Sequence, residues 1–242
     1  MGTELQGQTV VVIGGSAGIG FETARRARAE GAKVVITGRD PDRLQRAAIE
    51  LDATASSAFD AHDATALDAF FQKLPNPIDQ VLVTAGSPHY GPLLEMDPAD
   101  LRRAMDEPVQ LTVRVARNAV GRMRPGGSLL FVGGTGGRRP GLGLGIAGAL
   151  TAVLPALTTN LALELAPIRV NLIAPGFVDT PLSASLLGGE LDARRAELRA
   201  TLPIRRVVGP ADVAALAVEL MSNTAVTGAT FDIDGGQQLV EL

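Results

Sequence analysis

Short, almost continuously apolar runs recur along the chain and alternate with stretches in which apolar residues return every three or four positions. The runs predict strands that are buried on both faces, because a half-exposed strand would alternate apolar and polar residues. The run from Thr9 to Ile13 is typical. The predicted strands cover residues 9–13, 33–37, 57–59, 80–83, 128–132, 168–173 and 230–233.

The intervening stretches predict helices at residues 19–29, 42–51, 66–73, 98–123, 144–165 and 210–221. Each lies between two predicted strands and can form a right-handed crossover. This repeated βαβ pattern predicts a single α/β domain over residues 1–242, with a doubly wound, parallel seven-stranded sheet of the Rossmann type. A charged, partly helical segment at 181–206 interrupts the pattern after the sixth strand, and we expect it to be a substrate lid.

A glycine-rich turn follows the first strand directly and opens the first helix. Glycines at this turn allow a tight bend and bring backbone N–H groups close to a pyrophosphate, which the helix N-terminus favours. The pattern therefore predicts dinucleotide binding. The predicted contacts in the turn are Gly14, Ser16, Ala17, Gly18, Ile19 and Gly20.

The end of the second strand favours NADP(H) over NAD(H). An acidic side chain there would bind the ribose 2′-hydroxyl, whereas an arginine accommodates a 2′-phosphate. Gly38 occupies the acidic position, Arg39 follows it, and Arg43 lies one helical turn further on. Asp40 would oppose a phosphate if its carboxylate turned inward.

The composition narrows the possible functions. The net charge of −4 gives no basic footprint for nucleic acid. The chain has no cysteine and only two histidines, His62 and His89, so we expect no disulfide and no metal site. The lack of cysteine and of a leader-like start leads us to expect a cytoplasmic protein.

One uncharged stretch, residues 140–163, is long enough to span a bilayer. Several glycines, a proline and polar residues interrupt it, and it lies between two predicted strands. We therefore expect no membrane segment. We predict a helix covered by the sheet on one side and by a second subunit on the other.

Five spaced motifs extend the pattern through the whole chain, and together they resemble the short-chain dehydrogenase/reductase family. They lie at residues 13–20, 79–86, 168–171, 174–176 and 227–236. The resemblance implies that Asp60 and Ala61 border the adenine and that Ala85 and Gly86 lie along the dinucleotide. It also implies that four residues hold the nicotinamide: Pro175, Gly176, Val178 and Thr180. The family's threonine at the start of the glycine motif is Ile13 here, and its Asn-Asn pair is Val83-Thr84, which should weaken supporting hydrogen bonds.

The catalytic pattern of that family is missing. Its serine, tyrosine, lysine and asparagine positions fall on Gly134, Ala147, Thr151 and Pro108. A different alignment cannot restore them, because the chain has one tyrosine, Tyr90, and its lysines lie far upstream of the helix. The glycines at 133–137 and the Ala147-Gly148 pair predict a roomier pocket than usual.

Three residues are candidates to replace the missing groups. Tyr90, beside His89, could act as an acid; Thr135 could donate a hydrogen bond to a carbonyl; Thr151 could contact the nicotinamide ribose. Arg138 and Arg139 could bind an anionic substrate group.

Three functions stay open. The first is an NADP(H)-dependent oxidoreductase that transfers hydride between the nicotinamide and a carbonyl or alcohol by an atypical mechanism. The second is a cofactor-binding pseudoenzyme, sensor or scaffold, and the third is a non-redox isomerase, dehydratase or cyclase that uses the enlarged pocket. The family resemblance and the uncharged helix further predict a homodimer or homotetramer.

Overall fold

A computed structural model describes residues 5–138 and 140–240 of the chain. Within these ranges the sequence forms seven strands: β1 (Thr9–Ile13), β2 (Lys33–Gly38), β3 (Ala55–Ala58), β4 (Ile78–Val83), β5 (Met123–Val132), β6 (Arg169–Pro175) and β7 (Thr230–Ile233). All seven predicted strands are present, and their ends differ from the prediction by a few residues. The largest difference is β5, which begins five residues earlier than predicted.

Eight helices accompany the strands in the described residues: α1 (Gly18–Ala29), α2 (Pro41–Glu50), α3 (Ala64–Lys73), α4 (Pro98–Val120), α5 (Gly145–Glu164), α6 (Pro181–Leu187), α7 (Leu191–Thr201) and α8 (Pro210–Ser222). Several begin where an aspartate can cap the first turn. Asp40, Asp63 and Asp97 each accept a backbone N–H from the start of the helix that follows. The expected lid segment is the part that folds as α6 and α7.

The strands form one parallel sheet in the order β3-β2-β1-β4-β5-β6-β7. The chain moves outward from β1 to β3 and then returns to the other side of β1 with β4. The order of the strands therefore reverses between β1 and β4, and a doubly wound sheet binds its ligands in the crevice at this point. This confirms the single-domain, doubly wound α/β fold.

Both faces of the sheet are buried, which explains the continuous apolar runs. Val11 and Ile13 point into a core that lies under α3, α4 and α5. Val10 and Val12 point into the core on the opposite face, under α1, α2 and α8. With neither face in water, the strands carry mainly apolar residues on both faces.

The helix α5, which carries no charge before its last residue Glu164, lies against the sheet through Leu154 and Leu161. By length and hydropathy it is the one helix in the described residues that could cross a membrane, with a third of its apolar window buried inside the protein. It is also a crossover between β5 and β6, which are neighbours in the sheet. Its outer side, including Leu163, faces outward in the single chain.

Candidate cofactor and active site

The glycine turn between β1 and α1 is packed against the end of β4. Gly14 has a φ of +100°, and a Cβ there would lie 2.7 Å from the Thr84 hydroxyl oxygen and 2.8 Å from the Ala85 nitrogen. A side chain at Gly14 is thus excluded both by backbone conformation and by space. The Thr84 hydroxyl donates a hydrogen bond of 3.0 Å to the Gly14 carbonyl. The expected weakening at this position is therefore offset, because Thr84 itself ties β4 to the turn.

Gly20 lies in the tightest contact of this turn. A Cβ at Gly20 would lie 2.2 Å from the Gly14 carbonyl oxygen and 2.6 Å from the Thr84 hydroxyl oxygen. These distances are far inside van der Waals contact, so the first turn of α1 can approach the end of β1 only with glycine here.

The N-terminus of α1 is left free for an anion. Ala17 precedes the helix in an extended conformation and provides no side-chain cap, and the first turn carries no acidic residue. Uncapped N–H groups and the positive end of the helix dipole favour a phosphate at this place. Gly18, with a φ of +56°, and Ile19 follow at the start of the helix. The turn thus fits the pyrophosphate of a dinucleotide in conformation, spacing and polarity.

The residues around the end of β2 leave no room for an acidic side chain at position 38. A Cβ on Gly38 would lie 2.8 Å from the Ser16 hydroxyl oxygen and 3.0 Å from its Cβ. Asp40 is turned away to cap α2, where its carboxylate accepts the Arg43 N–H at 2.9 Å. That hydrogen bond lowers the pKa of Asp40, so the Asp40 side chain caps the helix as a carboxylate. Arg39 is exposed beside it.

The expected adenine border lies between β3 and α3. The Asp60 carboxylate accepts the His62 N–H at 3.0 Å and shapes this turn. Ala61 is buried against the core and lines a cleft of about 150 Å³ together with His62 and Leu111 of α4. Polar and charged side chains of α4 line the rest of this cleft, so the adenine border that the resemblance implies stays a prediction.

The nicotinamide-side residues follow β6 and pack on the turn after β7. A Cβ on Gly176 would lie 2.6 Å from the Gln237 side-chain oxygen, which accepts the Phe177 N–H at 2.8 Å. Val178 is buried and pairs with Val208, and Pro175 ends the strand. Sequence reasoning missed Gln237, because its role depends on a contact between residues 60 positions apart.

Thr180 connects the two halves of the expected cofactor site. Its methyl group would lie 3.4 Å from a Cβ on Gly18, so the residue rests on the glycine turn. Its hydroxyl also caps α6 in a reciprocal arrangement with Ser183. The end of β4 lies nearby: Thr84 and Ala85 donate their N–H groups to Ile13, and Gly86 has a φ of +124°. The structure therefore brings the sequence-predicted residues at the ends of β1, β4 and β6 to one edge of the sheet.

The positions that the resemblance assigns to the family's serine, tyrosine and lysine follow β5 or lie on α5. A Cβ on Gly134 would lie 3.2 Å from the Thr151 methyl carbon, so the serine and lysine positions are neighbours. Ala147 is buried one helical turn before Thr151 on α5, and Pro108 lies inside α4. Three of the four predicted catalytic positions therefore lie on neighbouring segments, and they carry a glycine, an alanine and a threonine.

The expectation of a roomier pocket is corrected at the glycines that follow. A Cβ on Gly137 would lie 2.6 Å from the Gly148 carbonyl oxygen and 2.9 Å from the Thr151 hydroxyl oxygen. The short 3₁₀ turn at Gly136–Arg138 therefore packs directly on α5. Gly137 thus allows close backbone packing and does not widen the pocket, whereas a Cβ on Gly136 would meet only an ordinary contact at 3.7 Å.

Of the replacement candidates on this side of the pocket, Thr135 keeps the more available hydroxyl. Thr135 is 8% exposed, and its N–H donates to the Pro175 carbonyl at 3.0 Å. No hydrogen bond to its hydroxyl is formed within residues 5–138 and 140–240. The Thr151 hydroxyl, by contrast, donates to the Gly148 carbonyl at 3.0 Å. Only the first of these two hydroxyls can donate to a ligand without first breaking a bond.

Tyr90 lies on the loop between β4 and α4. The Gly91 N–H donates to the Gly143 carbonyl at 2.9 Å, which holds this loop against the chain that enters α5. The Tyr90 side chain is half exposed, and its burial raises the pKa of the phenol above the ordinary value near 10. It is therefore a protonated phenol at neutral pH and can donate, but it cannot act as a base. His89 precedes it and is partly buried.

The two arginines proposed as anion contacts have different outcomes. The Arg138 guanidinium is already paired with the Asp232 carboxylate of β7. An anionic substrate group would have to displace that carboxylate, so Arg138 is not a ready anion site. Arg139 lies outside the described residues. In the described part of the chain, no cluster of three or more histidines and carboxylates could hold a metal ion.

A bidentate ion pair fastens the expected lid to the segment after β6. Arg195 of α7 donates to both Asp179 carboxylate oxygens, at 2.9 and 2.8 Å. This hydrogen bonding raises the pKa of Arg195, first through Asp179 and then through Asp192. Asp179 lies between Val178 and Thr180, so the pair joins the lid to residues of the expected nicotinamide site. The sequence offered no signal for this pairing across 16 positions.

Comparison with known proteins agrees with this geometry. A family model described as enoyl-(acyl carrier protein) reductase matches residues 14–238. The chain is 32% identical to dehydrogenase/reductase SDR family member 4 of Bos taurus, over 96% of this chain and 88% of that protein. A structure of the MalC reductase/Diels-Alderase from Malbranchea aurantiaca is similar with a TM-score of 0.91 and 25% identity, over 98% of both chains. A small-chain dehydrogenase in complex with NADPH is similar with a TM-score of 0.83 and 27% identity, over 97% of this chain and all of the other.

Proposed function

The chain belongs to the short-chain dehydrogenase/reductase family, and from that premise we propose that it is an NADP(H)-dependent oxidoreductase with an atypical proton donor. Its substrates are carbonyl compounds or the corresponding alcohols. The observation that carries the proposal is the glycine turn, in which Gly14 and Gly20 leave no space for a Cβ beside an uncapped helix N-terminus. Alanine is intrinsically the better helix residue, and the glycine at position 20 instead allows the close approach of helix and strand that a pyrophosphate-binding turn needs.

The preference for NADP(H) is supported by the end of β2. Ser16 fills the space in which an acidic side chain at position 38 would bind a ribose hydroxyl. The exposed Arg39 follows, and a guanidinium suits a phosphate group. Asp40 is engaged as the cap of α2 and does not turn toward this place. The NADPH complex of the structurally similar small-chain dehydrogenase adds support from a relative.

The bound nicotinamide would supply or accept the hydride; the chain itself has to position the carbonyl and direct a proton to its oxygen. We assign the first task to Thr135, whose hydroxyl is free to donate to a substrate oxygen within a largely buried setting. A fixed donor of this kind stabilises the negative charge that develops on oxygen as hydride arrives at carbon. The proton then comes from water or from the Tyr90 phenol, which stays protonated at neutral pH. Thr151 contributes a contact to the nicotinamide ribose.

The closing element is the segment 181–206, which we propose to be a substrate lid. It carries α6 and α7 and is fastened at Asp179. Because Thr180 touches the glycine turn at Gly18, closing the lid and holding the cofactor are coupled through one residue. Exclusion of water by such a lid strengthens every electrostatic contact inside the site.

We further propose that the protein is a cytoplasmic homodimer or homotetramer whose subunits meet along α5. The support is the uncharged outer side of that helix, with Leu163 three-quarters exposed in the single chain. An isologous contact would cover this side in both copies. Light scattering after size exclusion should give a mass of two or four chains of 25.0 kDa, and a monomer would contradict this assembly.

Two other functions have specific observations in their favour. The loss of all four catalytic positions favours a cofactor-binding pseudoenzyme that senses NADP(H) or scaffolds a partner. The structural similarity to a reductase/Diels-Alderase favours a non-redox reaction such as a cyclisation. The close packing of Gly137 on α5 weighs against the non-redox reaction, because backbone fills the space expected at this position of the pocket.

The deciding experiment combines binding and turnover. NADPH and NADH are titrated by calorimetry, and the oxidation of NADPH is followed in the same samples with a panel of carbonyl compounds. We expect tighter binding of NADPH and slow oxidation that needs a carbonyl. Binding without oxidation would favour the sensor, product without a change in nicotinamide absorbance would favour the non-redox enzyme, and no binding of either nucleotide would reject all cofactor-dependent readings.

The role of Thr135 is tested separately with Thr135→Val, which keeps the shape and removes the hydroxyl. Loss of one fixed donor to the developing oxyanion should lower kcat by about 10²-fold with cofactor affinity unchanged. Thr54→Val is the matched control, because Thr54 is exposed just before β3, at the opposite edge of the sheet from the site. Equal activity of the two variants would remove Thr135 from the mechanism.

A further inference from the structure

Exposed apolar side chains are concentrated at one edge of the sheet. Of eleven large hydrophobic residues that are exposed among the described residues, eight follow the carboxyl ends of β4, β5, β6 or β7. Six of them define what we name the apolar mouth: Leu94, Leu142, Leu182, Leu186, Ile204 and Leu239. Tyr90 and Leu93 lie on the same loop as Leu94. An exposed apolar cluster of this kind marks a binding surface more often than a lone exposed leucine does.

The mouth is continuous with the proposed active site. Leu94 and Leu142 lie on segments joined by the hydrogen bond from Gly91 to Gly143, and that second segment enters α5 shortly before Ala147. Leu182 and Leu186 lie on α6, which begins at Thr180. An occupant of the mouth is therefore next to the expected nicotinamide position.

The other side of the mouth is held in place by the turn after β7. A Cβ on Gly235 would lie 2.7 Å from the Ile204 side chain. A Cβ on Gly236 would lie 2.6 Å from the Pro203 ring. Leu239 ends a short 3₁₀ turn that follows directly. The end of the lid therefore packs against the C-terminal segment and is only partly exposed to solvent.

Three arginines at this edge are paired with carboxylates within the chain. Arg138 is bound to Asp232, Arg195 to Asp179, and Arg206 to Asp212 with two hydrogen bonds. Pairing removes the net attraction that a carboxylate or phosphate on the substrate would need. The free surface of the mouth is apolar, whereas these three cations are neutralised.

We infer that the substrate is an uncharged carbonyl compound with an apolar chain or ring system, which lies across the mouth while its carbonyl reaches Thr135. This inference rests on the proposed function and names its substrate class. The transfer itself is balanced: hydride from NADPH forms the C–H bond, the carbonyl oxygen takes a proton from water or Tyr90, and NADP⁺ is released.

The test uses the full chain saturated with NADPH and a series of straight-chain methyl ketones: butanone, hexanone, octanone and decanone. Dissociation constants are measured by displacement of the neutral dye Nile red, so that binding is seen with or without turnover. We expect affinity to rise by about two- to fourfold for each added methylene group, until the chain has covered the mouth. A keto acid with the chain length of decanone should bind at least tenfold more weakly than decanone.

The double variant Leu94→Ser/Leu142→Ser changes two fully exposed side chains, so folding should not be affected. We expect it to weaken decanone binding by about tenfold and to leave butanone binding unchanged. Ile49→Ser is the matched control, since Ile49 is exposed on α2 at the other end of the sheet order.

Several results would overturn the inference: affinity that does not depend on chain length, a keto acid that binds as tightly as the ketone, or unchanged decanone binding in the double variant. A change in oligomeric mass of that variant with unchanged ligand affinity would assign the mouth to a second copy of the chain. Chain-length-dependent binding without NADPH oxidation would support the substrate class and reject the redox proposal. NADPH oxidation with small or charged carbonyl compounds only would support the redox proposal and reject the apolar substrate class.

Discussion

The sites on the two sides of β4 differ in which of their parts the sequence provides. On one side, the glycine turn of β1 and α1 is packed so closely that Gly14 and Gly20 each exclude a Cβ. On the other, the segment after β5 and the helix α5 carry Gly134, Ala147 and Thr151 at the positions where the resemblance predicts the family's reacting side chains.

The difference separates what backbone provides from what side chains provide. Phosphate binding at the turn depends on N–H groups and close approach, so it survives wherever the glycines survive. Proton transfer depends on a phenol or a similar group with a suitable pKa, and no backbone geometry can replace it. One fold can therefore keep a cofactor site intact while its chemistry is lost or changed.

The sharpest way to break the comparison is to restore the missing side chains. The triple variant Gly134→Ser/Ala147→Tyr/Thr151→Lys should raise carbonyl reductase activity by about 10²- to 10⁴-fold, because it supplies a positioned general acid. Gly134 has room for serine once the Thr151 methyl group, 3.2 Å from its Cβ position, is replaced by an unbranched lysine. NADPH oxidation measures the gain.

The control for that variant is the second triple variant, Gly134→Ser/Ala147→Phe/Thr151→Lys, which adds the ring without its hydroxyl. It should fold, bind NADPH and stay slow. If the triple variant folds and binds NADPH yet gains nothing, then the catalytic positions are misplaced or the pocket is not a former reductase site.

The opposite change breaks the cofactor side. Gly20→Ala should lower NADPH affinity by about a hundredfold, the equivalent of roughly 3 kcal/mol, because the new methyl group meets the Gly14 carbonyl at 2.2 Å. The result is informative because alanine normally stabilises a helix by about 1 kcal/mol over glycine. Calorimetric titration with NADPH and thermal unfolding measure both effects.

Gly121→Ala provides the matched comparison, because Gly121 at the end of α4 has open space around its Cβ position. This variant should bind NADPH as the parent does. Unchanged affinity in both variants would show that the turn tolerates a side chain, and the argument from close packing would fail.

Most of the fold followed from pattern alone, because strands buried on both faces and helices between them leave a clear signal. The limits of β5 did not, since Met123 to Gly127 contain a proline and two glycines that oppose a strand. Pairing with β4, at Ile78 and Met123, overrides that preference. Tertiary contacts of this kind cannot be read from local propensity.

The site divides in the same manner. The glycine turn and the missing tyrosine were predictable, because both are properties of residue type at a position. The packing of Gly137 on Gly148, the ion pair of Arg138 with Asp232 and the lid contact of Arg195 were not, because each depends on side chains or backbone brought together from distant parts of the chain.

A smaller effect should sharpen the cofactor side of the comparison. Arg39→Gln should weaken NADPH by about ten- to a hundredfold and leave NADH nearly unchanged, because a charge-assisted hydrogen bond to a phosphate is lost. Arg46→Gln, on α2 beyond the first turn, is the control and should leave the affinity for both cofactors unchanged. Equal weakening of both nucleotides by Arg39→Gln would assign Arg39 to the fold and not to the 2′-phosphate.

The smallest expected effect concerns the contact that joins the two sides, the ion pair between Arg195 and Asp179. Arg195→Gln should raise KM for the carbonyl substrate by about two- to fivefold, because partly exposed pairs contribute little and are screened by salt. High salt should reduce the difference between variant and parent, since the Debye length falls to about 3 Å at 1 M. Arg194→Gln is the control, because Arg194 pairs only within α7, with Glu197 at 2.7 Å.

If both variants show the same KM and the same rate of proteolytic cleavage between residues 181 and 206, the lid is not held by this pair. If Arg195→Gln alone is cleaved faster and also binds NADPH more weakly, then lid closure reaches the cofactor side through Thr180 and its contact with Gly18, and the two regions act as one site.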